Sequence, residues 1–244
     1  MSTPPSTLDT GFGDPECKQR LVNWVFDKVA PRYDLGNDIM SLGMHNRWKR
    51  RLVDMAEIQP GHSVLDLACG TGDTTFMIAR IASRGEVVGA DINPTMMAVA
   101  EEKRPPDTSH VRFVEAPGAA LPFPDASFDL VTCTYAGRGF PDWPAVLAEV
   151  HRLLRPGGRF YNLDFGRPAN GVIDWGYRTW LLGSGAVLGK LLHGDPTTYM
   201  YIPHSMRHYP GPRWLDSQLA EAGFESRTIE TFLGLMAYNI GTKT

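Results

Sequence analysis

The stretch VLDLACGTGDTT, Val64 to Thr75, decides the fold. An apolar run leads into Gly70-Thr71-Gly72, and helix-forming residues follow at once. Glycine is needed where a ligand presses on the backbone or where φ is positive, because a Cβ would collide there. One G-x-G is a weak signature by itself. It gains weight from the next apolar run, which ends in Asp91, about 20 residues on, at the position that accepts hydrogen bonds from ribose hydroxyls. A dinucleotide fingerprint needs a third glycine where this chain has Thr75, and Asp73 puts negative charge where a pyrophosphate would meet the helix N-terminus. These residues predict a nucleoside site for a ligand with a cationic end, such as one carrying a sulfonium and an ammonium.

Working outward, short apolar runs alternate with helix-length segments, the pattern of βα units in a parallel sheet. Strands are expected at Ser63 to Ala68, Glu86 to Asp91, Val111 to Glu115, Phe128 to Thr134 and Arg159 to Phe165. Helices are expected at Thr74 to Ala82, Pro94 to Lys103 and Trp143 to Leu154, the last stopped by Pro156-Gly157-Gly158. Upstream, residues 17–57 read as a helical preface: Leu21, Trp24, Val25 and Val29 recur at helical spacing, Pro31 to Asp38 is a break, and Trp48, Leu52 and Met55 resume the period. Downstream, residues 167–211 are rich in aromatics and glycine and read as a largely helical insertion over the carboxyl edge of the sheet. A helix at Pro212 to Ala222 and a hairpin of Glu225 to Phe232 with Leu235 to Thr242 close the chain. The expectation is an α/β, Rossmann-like fold: a mostly parallel seven-stranded sheet ending in an antiparallel hairpin, in one domain over 17–244, behind a disordered tail at 1–16.

The bulk properties agree with one domain, since 244 residues with 43% hydrophobic content suffice for a single sizeable core. A net charge of -3 offers no long-range attraction to a phosphate backbone, so nucleic acid is not an expected partner. Cys17, Cys69 and Cys133 lie far apart and suit a reducing, cytoplasmic compartment. No basic and apolar leader pattern and no run of eighteen apolar residues is present, so neither secretion nor a membrane span is expected.

Val64 to Thr75 resembles motif I of class I methyltransferases, and the chain from about Trp24 onward resembles the quinone C-methyltransferases of the ubiquinone/menaquinone biosynthesis family. The strings that carry the resemblance are FDKVAPRYDLGNDIMSLGMHNRWKR at 26–50, LPFPDASFDLVT at 121–132, LLRPGGRF at 153–160, LDFGRP at 163–168 and YMYIPHSMRHYPG at 199–211. The resemblance implies S-adenosylmethionine as cofactor. It puts Gly70, Thr71 and Gly72 against the methionine part, Asp91 on the ribose and Ile92 on the adenine, and it counts Asp66 among the binding residues. Thr134 would face the cofactor, and Tyr33 and Asn37 would close over it. Where the family has an acidic or amide residue followed by Ala, this chain has Pro117-Gly118, so only the Gly118 N–H is left to read adenine.

The acceptor of the methyl group would sit beyond the strand ends, among Thr134 to Phe140, Asp164 to Arg167 and the aromatic insertion. That lining suits a lipophilic aromatic or isoprenoid molecule, a prenylated quinol such as demethylmenaquinol or a demethylphylloquinol-like compound. Arg138 is expected to lower the pKa of a ring hydroxyl, Asp164 to accept a proton and Tyr201 to orient a ring oxygen. The plainer readings are that Arg138 pairs with a carboxylate, Asp164 caps a turn and Tyr201 is core. Two departures stand out. Tyr135-Ala136-Gly137-Arg138-Gly139 replaces the family's F-G-L-R-N, which predicts a wider pocket floor at Gly137, and Gly166 replaces a serine. They keep a second reading open, a specialised methyltransferase for an isoprenoid diphosphate or a polyketide phenol. A third, a nucleoside-binding protein without transferase activity, rests on Pro117. His204 and His208 at i, i+4 lack a nearby third ligand, so no metal is expected, with a general-base role for His204 the lesser reading; His45 falls in the string that resembles the family's substrate-entry helices, its plainer reading an exposed helix residue. Contact with a membrane is expected only peripherally, through the lipophilic substrate. The closing hairpin offers an edge through which two copies could pair as a homodimer.

Overall fold

A computed structural model describes residues 14–244. Seven strands form one sheet: β1 (Val64–Leu67), β2 (Val87–Asp91), β3 (Val111–Glu115), β4 (Phe128–Thr134), β5 (Leu154–Phe165), β6 (Phe224–Thr231) and β7 (Met236–Lys243). Their order is β3-β2-β1-β4-β5-β7-β6, with β1 to β5 parallel and β7 antiparallel between β5 and β6. The order reverses at β1, which pairs with β2 on one side and β4 on the other. A ligand crevice opens beyond the carboxyl ends of strands at such a switch point.

The alternating pleat sends neighbouring residues to opposite faces, and both faces are covered. Leu65, Val131 and Phe160 join the core under α6 (Trp143–Leu153) and α9 (Pro212–Glu221). Val64, Leu130 and Tyr161 join the core under α3 (Met44–Met55) and α4 (Asp73–Ile81). Each fully buried Leu or Phe of this kind contributes about 1.5–3 kcal/mol. Helix starts are fixed locally. Asn93 accepts from the Met96 N–H at the head of α5 (Pro94–Glu102), and Asp142 accepts from the Ala145 N–H at the head of α6, each with a proline in the first turn.

A third core lies off the sheet. Leu21, Trp24, Val25 and Val29 of α1 (Pro15–Val29) pack with Leu181 of α7 (Gly171–His193) and Tyr199 and Tyr201 of α8 (Thr197–His208). The helical preface and the helical insertion thus form one cap over the carboxyl edge.

The expected elements are found, with shifted boundaries. Of the tail expected at 1–16, residues 1–13 lie outside the described residues, while Pro15 and Glu16 belong to α1 because Asp14 accepts from the Cys17 N–H and Pro15 opens the helix. The break expected at Pro31 to Asp38 is a 3₁₀ turn, Ala30–Arg32, running straight into α2 (Tyr33–Ser41). The true break is Leu42-Gly43, both left-handed at φ 52° and 73°. Pro156-Gly157-Gly158 does not stop α6. β5 already begins at Leu154, opposite Phe128, and the register shifts before Leu130 meets Arg159. Gly157, at φ +75°, absorbs the irregularity. Among the described residues no helix is long and apolar enough to cross a membrane.

Candidate active site

The ends of β1, β2, β3 and β4 wall a cavity of about 150 Å³. Gly70, Asp91, Ile92, Gly118, Thr134 and Tyr33, six of the residues expected at the cofactor, line it. Gly70 is left-handed (φ +55°), and a Cβ on it would come within 3.2 Å of the Met96 methyl. Its N–H donates to Asp91 Oδ2 at 2.8 Å and the Asn93 N–H donates to Oδ1 at 2.9 Å, so two backbone donors orient the carboxylate at the cavity wall. Burial pushes the Asp91 carboxyl above its ordinary range, and these N–H groups oppose the shift. Thr134 Oγ1 shares a hydrogen bond with Thr74 Oγ1 at 3.0 Å.

Asp66, Thr71 and Gly72 are not in the cavity wall. Asp66 is buried beneath the loop, where it accepts from Thr75 Oγ1 at 2.6 Å and Thr132 Oγ1 at 2.7 Å. Burial pushes its pKa up to about 6, against the pull of those two hydroxyls. Thr71 donates to Asp34 at 2.7 Å, and Gly72 is the left-handed cap of α4 packed against Phe76. Asp66 thus holds the loop to β4 and α4, Thr71 ties it to α2, and Gly72 turns it into α4. Asn37 lines the neighbouring cavity described below.

Asp73 does not present its charge to a ligand either. Lys103 Nζ bridges Asp73 Oδ1 and Asp34 Oδ2 at 2.5 Å each, and Lys49 Nζ reaches Asp73 Oδ2 at 2.9 Å. Burial works against its ionisation, but the two ammonium groups prevail and hold the carboxyl below its usual range. The charge fastens α4 to α2, α3 and the end of α5.

The sequence reading missed the contribution of α1. Gln19, Val22, Asn23 and Phe26 line this cavity, and they stand at i, i+3, i+4 and i+7. That spacing marks a second helix face beside the one that builds the cap core.

A second cavity, of about 290 Å³, lies under the cap. Its wall is apolar and aromatic, including Val29, Met40, Trp48, Tyr177, Leu181 and Leu235. Phe26, Tyr33, Tyr135, Arg138 and Tyr201 line both cavities, so the two meet at one wall.

Arg138 is buried in that wall. Its guanidinium pairs with Asp164 Oδ1, its Nε donates to Ser205 Oγ at 3.2 Å, and it stacks 4.2 Å from the Phe165 ring centroid. Asp164 also accepts the Phe165 N–H at 2.7 Å, is buried beside Arg138 and lines neither cavity. Tyr201 packs edge-on to Phe26 at 6.2 Å, and burial lifts its phenol to about 12 against the pull of Arg138, which keeps it a neutral donor.

Gly137 does not widen the floor. A Cβ there would lie 2.6 Å from the Trp143 indole and 3.0 Å from Asp164 Oδ2, so the space is already filled by Trp143. Gly166 lines neither cavity; a Cβ on it would run into the Gly234 carbonyl at 2.1 Å. Both glycines answer a close approach rather than an altered acceptor. His45, expected on the surface, is buried, bonded to Ser41 Oγ at 3.0 Å through Nδ1, and lines the second cavity. Burial, then the nearby Lys49, pushes its pKa down, so it is neutral there. His204 lies on α8 and lines neither cavity. Among the described residues no three His, Cys, Asp or Glu side chains cluster as metal ligands would.

The profile of the ubiE/COQ5 methyltransferase family matches residues 15–243. The demethylmenaquinone methyltransferase of Thermus thermophilus is 41% identical over 219 residues, spanning 90% of this chain and 100% of that one. The ubiquinone/menaquinone biosynthesis C-methyltransferase UbiE of Marinomonas sp. is 36% identical over 243 residues, 97% of each chain. Among solved structures, a SAM dependent methyltransferase from Aquifex aeolicus superposes with a TM-score of 0.59 at 15% identity, covering 80% of this chain and 89% of that one. Phosphoethanolamine N-methyltransferase 2 of Haemonchus contortus, solved with S-adenosyl-L-methionine, gives 0.58 at 14% identity, covering 81% of this chain and 52% of that one. At such identities the structural likeness is one of fold.

Proposed function

The chain belongs to the ubiE/COQ5 methyltransferase family, and from that membership we propose that it methylates a ring carbon of a prenylated quinol of the demethylmenaquinol type. It is an S-adenosylmethionine-dependent methyltransferase of the class I fold. The observation that carries the substrate reading is the shared wall: a cavity with nucleoside features meets an apolar, aromatic one at Phe26, Tyr33, Tyr135, Arg138 and Tyr201.

The residues of the first cavity fit the cofactor. Gly70 leaves open a space that a Cβ would narrow, Asp91 offers ribose an oriented acceptor, and Ile92 and Gly118 bound an adenine slot. When bound, S-adenosylmethionine supplies an electrophilic methyl group on a sulfonium. The chain's own part is to hold the acceptor ring in line with it, to exclude water with the cap, and to favour the ionised ring hydroxyl. Arg138 supplies the fixed cation for that last task, and Asp164 and Ser205 hold its guanidinium in place. A ring carbon so held would accept the methyl group that the sulfonium supplies, leaving a neutral thioether, and its proton would pass to water as the ring regains aromaticity.

The reading of a specialised acceptor drew on the altered string at 135–139, and the packing of Trp143 against Gly137 removes most of that support. Family membership leaves no basis for a binding protein without transferase activity. We extend the proposal to peripheral contact with a membrane from the cytoplasmic side. Its support is the exposed Leu42 and Trp180, which stand at the rim of the apolar cavity, with Val172 and Trp175 exposed on the same helix as Trp180. β6 ends the sheet with one edge unpaired, the element through which a homodimer would form. Incubation with methyl-labelled S-adenosylmethionine, under reducing conditions, with demethylmenaquinol or with a lipid extract tests the proposal. Label in the quinol is the expected result. Label in another compound of the extract, with the quinol unlabelled, would sink it.

A further inference from the structure

Tyr135 is held in a conformation that a bulky side chain rarely adopts. β4 ends at Thr134, and Tyr135 turns left-handed at φ +61° while its N–H donates to the Leu163 carbonyl at 2.7 Å. For a residue with a Cβ that conformation is strained, because the Cβ crowds the following carbonyl oxygen. The turn sets the ring into the wall that both cavities share, against Phe165 at 5.9 Å, and Phe165 in turn carries the Arg138 guanidinium. The phenol oxygen is buried and has no hydrogen-bond partner. Among the described residues it is the one such side-chain atom in the wall common to both cavities. A buried hydroxyl without a partner carries an uncompensated desolvation cost, which a bound ligand removes by accepting from it.

Arg138 gives a ring oxygen a fixed charge, but its Nη1 and Nε already donate to Asp164 and Ser205, whereas the Tyr135 hydroxyl has its whole donor capacity unused. We propose that the Tyr135 hydroxyl donates a hydrogen bond to a ring oxygen of the methyl acceptor and is the group by which the site selects an oxygenated ring. The proposal rests on the quinol reading given above. Burial drives the Tyr135 phenol well above its ordinary range, so it stays a neutral donor beside an ionised ring oxygen. A site built to pair with a substrate oxygen rejects an analogue that lacks it, because the protein group is then left unpaired. Of the other shared-wall residues, Phe26 has no polar group and the Arg138 guanidinium pairs with Asp164 and Ser205, so the unpartnered Tyr135 hydroxyl is the donor left in want of an acceptor.

The test is Tyr135→Phe, which removes the hydroxyl and keeps the ring. With demethylmenaquinol under anaerobic, reducing conditions, kcat/KM is expected to fall about 10- to 100-fold, the range for a lost bond to a charged oxygen. Affinity for S-adenosylmethionine by calorimetry should stay within twofold. Two prenylated naphthols, each lacking one ring oxygen, serve as competitive inhibitors. The wild-type protein should favour one of them by about tenfold, and Y135F should bind both equally. The ligand-free variant should unfold at the same temperature as the wild type or higher, since an unpartnered hydroxyl adds no bond there. A variant with unchanged kcat/KM, unchanged discrimination between the naphthols or lost cofactor affinity would overturn the assignment. If the wild-type protein does not methylate the quinol, the functional proposal fails instead, and the two failures are told apart.

Discussion

The donor end and the acceptor end of the site are built from different materials. At the donor end the chemistry is in the backbone: the Gly70 and Asn93 N–H groups orient Asp91, and successive strand ends make a wall that one face of α1 completes. At the acceptor end the wall is made of side chains from α1, α2, α3, α7, α8 and the turn of the final hairpin, elements spread across the chain. Backbone geometry is dictated by a few contiguous residues, chiefly glycines, so the donor end is compact in sequence. Side-chain walls depend on long-range packing, so the acceptor end has no motif of its own. Substitutions should therefore separate turnover from cofactor binding according to the end they touch.

The largest effect is expected at the shared wall. Arg138→Ala should lower kcat/KM by about 10²- to 10³-fold, the scale of a lost preorganised charge partner, while calorimetry finds cofactor affinity retained. It also leaves Asp164 buried and unpaired, which should cost about 3–5 kcal/mol in denaturant unfolding. Arg138→Ala combined with Asp164→Asn should recover much of that stability and none of the turnover. Near-normal turnover in the single variant would erase the distinction between the two ends.

A smaller effect belongs to the donor loop. Asp66 titrates near 6 in the folded chain against 3.8 as its ordinary value, so the folded state binds the proton more tightly than the unfolded one. Its stabilising contribution is complete below about pH 4 and is lost as the pH rises through 6, by up to roughly 3 kcal/mol. Asp66→Asn, which does not titrate, should therefore gain on the wild type in stability between pH 4 and 6. A pH-independent difference between the two would mean that Asp66 is ionised throughout.

Two further changes sharpen the comparison. Gly137→Leu restores the bulk seen in the family pattern but meets Trp143 and Asp164, and should cost about 1–3 kcal/mol by overpacking. A stable, active variant would show that the floor is open after all. Asp73→Asn leaves the buried Lys49 ammonium without its carboxylate and should cost up to about 3–5 kcal/mol in denaturant unfolding, yet leave S-adenosylmethionine affinity within threefold, because the carboxylate is turned to Lys49 and Lys103 and lines neither cavity. A tenfold loss of affinity would return Asp73 to the cofactor.

Legibility in the sequence follows the same division. The strands and the order of elements could be read from local pattern, and Gly70, Asp91, Ile92, Gly118, Thr134 and Tyr33, chosen from strings shared with the family, do come together around the first cavity. Asp73 was misread as facing a cation because the sequence does not reveal that Lys49 and Lys103, from two other helices, converge on it. Asp66 and Thr71 look like ligand contacts in a motif, yet they bond to Thr75, Thr132 and Asp34 behind the loop. Gly137 and Gly166 look like losses from the pocket until Trp143 and Gly234 are placed beside them. His45 looks exposed until Ser41 and the cap close over it. One signal was present and unused: the second face of α1 at Gln19, Val22, Asn23 and Phe26.

On the proposed function, the shared wall of the two cavities lets a methyl group pass from the donor end to a ring carbon at the acceptor end. Single-turnover reaction with ¹³C-methyl S-adenosylmethionine and demethylmenaquinol, followed by NMR of the extracted product, tests it most directly. The expected signal is a methyl bonded to an aromatic carbon, formed in proportion to the protein. A methyl ether at either ring oxygen, or an unlabelled quinol beside bound cofactor, would contradict it.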